Sequence, residues 1–299
     1  MQKVKQFKTY EEQVEILKKK GLIIDVDAIE VLKRNNYYFL INRYKDIFTI
    51  PDIKPSKFKN NVHFSEIIAL YQFDRDLRSL ILKYIILIEN TLKSILSHEF
   101  SKKYNYDYLN QKNFIDNCDE IKTKAINSLF NSIKQTIKTG IKNNKYINYY
   151  HKNYSKIPLW VIINDLSLSL TVKFYNLLKI EDKEIISNYF NISSDNFYLY
   201  LQFIKYYRNL AAHNQRMFDA KNEFKISKTI YHSNLNLEQA NDDIMALIII
   251  FKSLLTNNDF EDFKVELQKL LKQFDNKVNA IDNKLVLNYM GLPINWHEI

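Results

Sequence analysis

The chain has almost no glycine or proline, three and four among 299 residues, and that scarcity excludes most β-rich folds. Sandwiches and barrels need frequent Gly, Pro, Asn and Asp turns between short strands, whereas long helices do without them. The expected class is all-α. A single cysteine, Cys118, excludes an intramolecular disulfide and cannot by itself build a structural zinc site, which points to a reducing compartment and a cytoplasmic location. Long apolar runs are also missing. The two most apolar windows, Leu80 to Ile88 and Ile244 to Phe251, reach roughly half the length that spanning a bilayer requires, so both are expected as buried helix segments and no membrane partner is expected. The N-terminus, Met1-Gln2-Lys3-Val4-Lys5, runs into polar helical sequence without an apolar core and is not expected to be a signal peptide. Glycine-rich phosphate loops, a nucleophile elbow, Cys-His pairs and clusters at metal-ligand spacing are absent too. No cofactor or metal is therefore expected.

What the chain does have is 46% hydrophobic and 14% aromatic residues, enough for a substantial core. Its formal charge of +9, with pI near 9.2, favours an anionic partner, nucleic acid first. Lys, Asn and Ile crowd the whole sequence, so part of the lysine content is compositional bias.

Along the chain, Thr9-Tyr10-Glu11-Glu12 has the pattern of a capping box and Gly21 is placed to end the helix that follows. Asp25 is expected to cap a short helix through Arg34, and Tyr37, Tyr38, Leu40, Ile41, Tyr44 and Phe48 to line a third. Residues 1–60 thus read as an N-terminal helical wing, with Pro51 to Asn61 as a loop. From Phe64 to about Tyr104, Leu77, Ile81, Tyr84, Ile88, Leu92 and Ile95 fall at helical steps. Residues 105–155 are Asn/Lys-rich and weakly periodic, an expected insertion, with Gly140 where a helix should end. Pro158 opens a helix carrying Trp160, Ile163, Leu166, Leu170 and Phe174. Ser193 or Ser194 caps a helix from about Asp195 to Arg216, and two more follow near Glu238 to Leu255 and Phe260 to Phe274. The expected helical domain covers 61–275, with an irregular tail at 276–299.

On a helix through Arg216, Asn209, His213 and Arg216 share one face and Arg208 lies beside it. An arginine, an amide and an imidazole suit phosphodiester chemistry: the histidine moves a proton and the arginine holds a phosphate. RNA carries its own nucleophile in the 2′-hydroxyl, so proton transfer and charge stabilisation suffice without a metal.

Phe7-Lys8-Thr9-Tyr10-Glu11-Glu12-Gln13, Gly21-Leu22-Ile23-Ile24, Asn36-Tyr37-Tyr38, Leu70-Tyr71-Gln72-Phe73-Asp74-Arg75-Asp76-Leu77-Arg78, Pro158-Leu159-Trp160, Tyr207-Arg208-Asn209-Leu210-Ala211-Ala212-His213-Asn214-Gln215-Arg216 and Gly291-Leu292-Pro293-Ile294-Asn295-Trp296 resemble the bacterial abortive-infection family of the AbiD/AbiF type. The resemblance runs in order over nearly the whole chain. That family is assigned to the HEPN superfamily, whose signature is Arg, four to six residues, then His, here Arg208, Asn209 and His213. The resemblance implies an HEPN-like helical bundle that cleaves RNA without metal in a cleft made by two motifs. With one motif per chain, it implies a homodimer. It also implies a role in phage defence, as an abortive-infection or toxin-antitoxin effector, with a small-RNA antitoxin as a partner. The pattern departs from the family at Leu168-Ser169 and at Asn164 beside Asp165, and no catalytic role is assigned to Asp165.

Three further residues are candidates for RNA contact: Arg216, Arg75 and Arg78, although an alternating charge run such as Asp74 to Arg78 is more often a solvated face. Glu89, within an apolar helix, is an expected orienting carboxylate for Arg208 or else a structural ion-pair partner. The remaining histidines, His98 included, share no spacing and read as structural. The leading function is an endoribonuclease leaving cyclic phosphate ends. Its alternatives are a non-catalytic RNA-binding module and nucleotidyl transfer onto a partner protein.

Overall fold

The computed structural model describes residues 6–116, 119–235, 237 and 241–299. Cys118 and the expected helix start at Glu238 lie outside them. Among the described residues the chain is 68% helical and has no strands, and its β-type pairing is confined to isolated bridges joining Ile23 to His63 and Thr49 to Phe58.

Helix α1 (Tyr10–Lys19) carries the expected capping box, with Thr9 and Glu12 each closing on the other's backbone amide. Gly21 follows in the left-handed region at φ 92°. The cap of α2 (Ala28–Arg34) is Asp27, not Asp25; Asp25 instead accepts from the Ser65 amide at 3.1 Å. The third helix expected through Tyr37 to Phe48 is irregular, a wide π-type turn at Tyr38–Asn42 and a tight turn at Asp46–Phe48. Helix α3 (Phe64–Tyr104) is one unbroken element.

The stretch 105–155 is more ordered than its composition suggests. Helix α4 (Glu120–Asn143) buries Ile126, Leu129, Phe130 and Ile133, and α5 (Lys145–Asn153) buries Ile147. Gly140 lies inside α4 rather than ending it, because a Cβ there would meet Ile147 of α5 at 2.4 Å; the glycine permits close helix approach. Pro158 does open a helix, α6 (Leu159–Ile162). The single helix expected beyond it is broken at extended Leu166, and Ser167 caps α7 (Leu168–Asn176) by accepting from the Leu170 amide. Helix α8 (Ile180–Asn188) was not expected, and α9 (Ser194–Ala212) stops four residues before Arg216. After α10 (Ile230–Asn234), α11 (Ile244–Leu254) buries every residue from Ile244 to Phe251. Helix α12 (Asn257–Asp275) matches expectation, and the expected irregular tail contains α13 (Asn283–Met290), ended by Gly291 at φ 74°.

The chain forms two compact units, one from Met1–Leu80, Leu210–Ala220 and Glu261–Glu298, the other from Ile81–Asn209 and Lys221–Phe260. Neither is contiguous, so neither coincides with 1–60, 61–275 or 276–299. The first is centred on Leu17, Phe48, Phe64, Ile67, Leu70 and Leu77, all fully buried, with Phe73 and Phe274 at 4.9 Å. Within it Glu66 receives the amide of Ala280 at 2.8 Å and that of His63 at 2.9 Å. The second buries α11 and, separately, a cluster of Phe100, Phe114 and Phe174, whose rings lie 5.2–5.8 Å apart. Of the apolar window Leu80 to Ile88, Ile86 and Leu87 remain exposed. No helix among the described residues is long and apolar enough to cross a membrane.

Candidate nuclease motif and its anchoring loop

Helix α9 forms because Ser193 accepts from the Asn196 amide at its start and because Phe197, Leu201, Ile204 and Tyr207 recur at helical steps, each fully buried. Arg208 continues that stripe, four residues after Ile204 and seven after Leu201, whereas Asn209 and His213 turn away from it. Arg208 and Asn209 are half-buried and His213 is exposed. Among the described residues, no hydrogen bond or ion pair engages the Arg208 guanidinium, the Asn209 amide or the His213 ring.

The helix ends by a double hydrogen-bonded reversal. The Gln215 amide donates to Leu210 O at 3.0 Å and the Asn214 amide to Ala211 O at 3.3 Å, while Asn214 adopts φ 52°. This is the Schellman arrangement, with Asn in the left-handed position that Gly usually takes. His213 is therefore the residue at the helix end, one turn beyond Asn209. Arg216 lies in the loop that follows, so the expected face shared by Asn209, His213 and Arg216 does not form.

That loop is held by α3 within the first unit. Asp74 is fully buried and accepts the amides of Met217 at 3.0 Å and Phe218 at 2.8 Å, together with the Tyr44 hydroxyl at 2.6 Å. Arg78, one turn along and also buried, pairs with Asp74. Its guanidinium further donates to Asn214 Oδ1 at 2.8 Å and Gln215 O at 3.2 Å. Arg43 adds a bond to Asn214 O at 2.9 Å. Burial raises the Asp74 carboxyl, while Arg78, the Tyr44 hydroxyl and the amides of Phe218 and Met217 oppose that rise. Burial and the Asp74 charge push the Tyr44 hydroxyl upward as well, which keeps it a donor.

These contacts place the other candidates. Arg78 is shut away from solvent, so the expected RNA contact gives way to an internal role: its donors serve Asp74, the Asn214 side chain and the Gln215 carbonyl. Arg216 lies over Phe218, 4.8 Å from the ring centre, and pairs with Asp219 through Nε at 2.7 Å. It also donates to Arg43 O. Arg75 is exposed and holds its neighbour Asp76 at 2.8 Å. Glu89 pairs with Lys93, one turn on, at 2.7 Å in a nearly buried setting. The structural ion pair is the alternative that forms, and the expected Arg208 contact does not. Asp165 accepts both hydrogen bonds from Asn144, the cap of α5. Sequence reasoning passed over Asp74 and Tyr44. The available signal was Asp74 four residues before Arg78 on a helix otherwise apolar on that side. No group of three His, Cys, Asp or Glu side chains among the described residues is placed to hold a metal ion.

A family model described as Abi-like protein matches residues 30–219. The matched region ends just after the loop that Asp74 and Arg78 hold. No curated protein and no solved structure matches the chain.

Proposed function

The chain belongs to the Abi-like protein family, and we propose that it is a metal-independent endoribonuclease of a phage-defence system of the abortive-infection or toxin-antitoxin kind. The observation that carries this reading is the state of the motif: the side chains of Arg208, Asn209 and His213 have no protein partner among the described residues, while in the loop that follows the Asn214 side chain, Arg216 and the amides of Met217 and Phe218 are bonded. Side chains kept available on an ordered helix end suit a substrate.

The chemistry follows from RNA itself. The 2′-oxygen bonds to phosphorus as its proton is taken up, the bond from phosphorus to the 5′-oxygen breaks, and that oxygen gains a proton. The products are a 2′,3′-cyclic phosphate and a 5′-hydroxyl. His213 moves the proton, Arg208 stabilises the charge gathering on the phosphate oxygens, and the Asn209 amide donates to the same group. The attacking and leaving oxygens lie on opposite sides of the phosphorus, so two imidazoles, one on each side, suit the two proton transfers. With one motif per chain, the second comes from another copy, so the working form is a homodimer. Arg75 is the exposed cation that remains as an RNA contact outside the motif.

The deciding experiment incubates purified protein with mixed RNA in EDTA, comparing wild type with Arg208→Ala and His213→Ala. Cyclic phosphate ends formed by wild type and lost in both variants support the proposal. RNA left intact but bound by wild type replaces it with a non-catalytic RNA-binding module. Sedimentation tests the dimer separately: a monomer that still cleaves would sink the two-motif site.

A further inference from the structure

The positive charge of this chain is not spread along it. Residues 121–164 hold eight lysines and neither an acid nor an arginine, and the remaining residues share 35 lysines and arginines against 34 acids. With Glu120 at the start of α4 counted, seven of the nine excess charges sit on α4, α5 and the segment leading to α6. Compositional bias does not account for this, since elsewhere the lysines are matched by carboxylates.

The fold keeps these charges outward. Lys134, Lys138 and Lys142 recur every fourth residue along α4, on the side away from buried Ile126, Leu129 and Ile133, and all three are exposed. Lys145 and Lys152 lie seven apart on α5, opposite buried Ile147, with Tyr149 between them. Among the described residues none of these five lysines has an ion-pair partner. Aromatic rings are exposed in the same segment: Tyr146 63%, Tyr149 55%, Tyr154 54% and Trp160 45%. Tyr154 meets Tyr150 at 5.2 Å and Tyr149 at 6.1 Å, and Trp160 meets Tyr106 at 5.9 Å.

We infer that α4 and α5 form a docking face for single-stranded RNA, in which Lys134, Lys138, Lys142, Lys145 and Lys152 track phosphates and Tyr149 stacks on a base. Cations interleaved with exposed rings are what a flexible strand uses, because every base has a face to stack and each neutralised phosphate releases a counterion. A duplex hides its base faces, so the rings favour a single strand. Anionic lipid would attract the same lysines without placing a base on Tyr149, so phosphatidylserine vesicles are the competing outcome of the test. This inference extends the proposed ribonuclease reading by giving its substrate a second hold, and it is tested by binding rather than by cleavage.

The test measures binding of a labelled, unstructured uridine-rich RNA to the full chain by fluorescence anisotropy, in EDTA and over rising salt, with His213→Ala in every protein. Replacing Lys134, Lys138, Lys142 and Lys145 together by Gln should weaken binding about tenfold or more at low salt. It should also flatten the salt dependence by about three units of slope, from roughly 0.7 per phosphate. The matching Lys→Arg set should keep both. Tyr149→Ala with Tyr154→Ala should weaken binding about tenfold at an unchanged slope, the signature of stacking. Unaltered affinity and slope in the Gln set overturns the inference, as does lost binding to phosphatidylserine vesicles with RNA binding intact. The two proposals fail separately. A wild type that cuts no RNA while the Gln set loses binding removes the nuclease and leaves the docking face, and the converse result removes the face alone.

Discussion

The residues on either side of the α9 terminus are chemically alike and structurally opposite. Up to His213, an arginine, an amide and an imidazole are without protein partners among the described residues. Immediately after it, the Asn214 side chain, the Gln215 carbonyl, Arg216 and the amides of Met217 and Phe218 are all bonded. A sequence motif rich in polar residues is thus divided by the fold into a part available to a ligand and a part that fixes where the helix stops. Arginine illustrates the division: Arg208 and Arg78 are equally charged, yet only Arg78 is enclosed with a carboxylate.

If that division is right, substitutions should separate activity from stability. Arg208→Ala and His213→Ala should lower cleavage by about 10²–10⁴-fold, while their melting temperatures stay near wild type. A matching loss of stability in either variant would contradict the division. Asp74→Ala should do the reverse and destabilise the protein by about 3–5 kcal/mol, since it leaves Arg78 enclosed without its partner. Replacing Asp74 and Arg78 together by Leu should restore part of that loss in a denaturant titration, because a buried pair replaced by apolar groups is often close to neutral. Arg216→Ala, which breaks a half-buried pair, should cost about 1–2 kcal/mol. The smallest effect belongs to Arg75→Ala, within about 0.5 kcal/mol in stability because its pair is exposed. Any change it makes should appear as weaker RNA binding at low salt.

Much of this architecture was legible in the residues. The capping box at Thr9 and Glu12, the unbroken α3 and the buried stripe of α9 all rest on local patterns that packing reinforces. What escaped was decided at a distance or by unusual local geometry. The end of α9 was misplaced because Asn214, not Gly, takes the left-handed position, and Arg216 then looked like one more helical residue. Gly140 resembled a stop until Ile147 showed what fills the space beside it. Arg78 looked solvated because Asp74, Arg75 and Asp76 surround it in sequence, whereas its main partners other than Asp74 lie about 136 residues away. The pairing of Glu89 with Lys93 was within reach of a four-residue spacing rule, and the apolar surroundings drew attention to Arg208 instead.

Position 214 carries two requirements at once. Its backbone needs a residue that accepts φ near 52°, and its side chain must offer Arg78 an oxygen at short reach. Glycine meets the first requirement alone, glutamine only the second, and alanine neither. Asparagine meets both, with aspartate the nearest substitute. The genetic freedom of this site is therefore far narrower than its exposed position suggests, and a library randomised at codon 214 should return two amino acids rather than a surface-like spectrum.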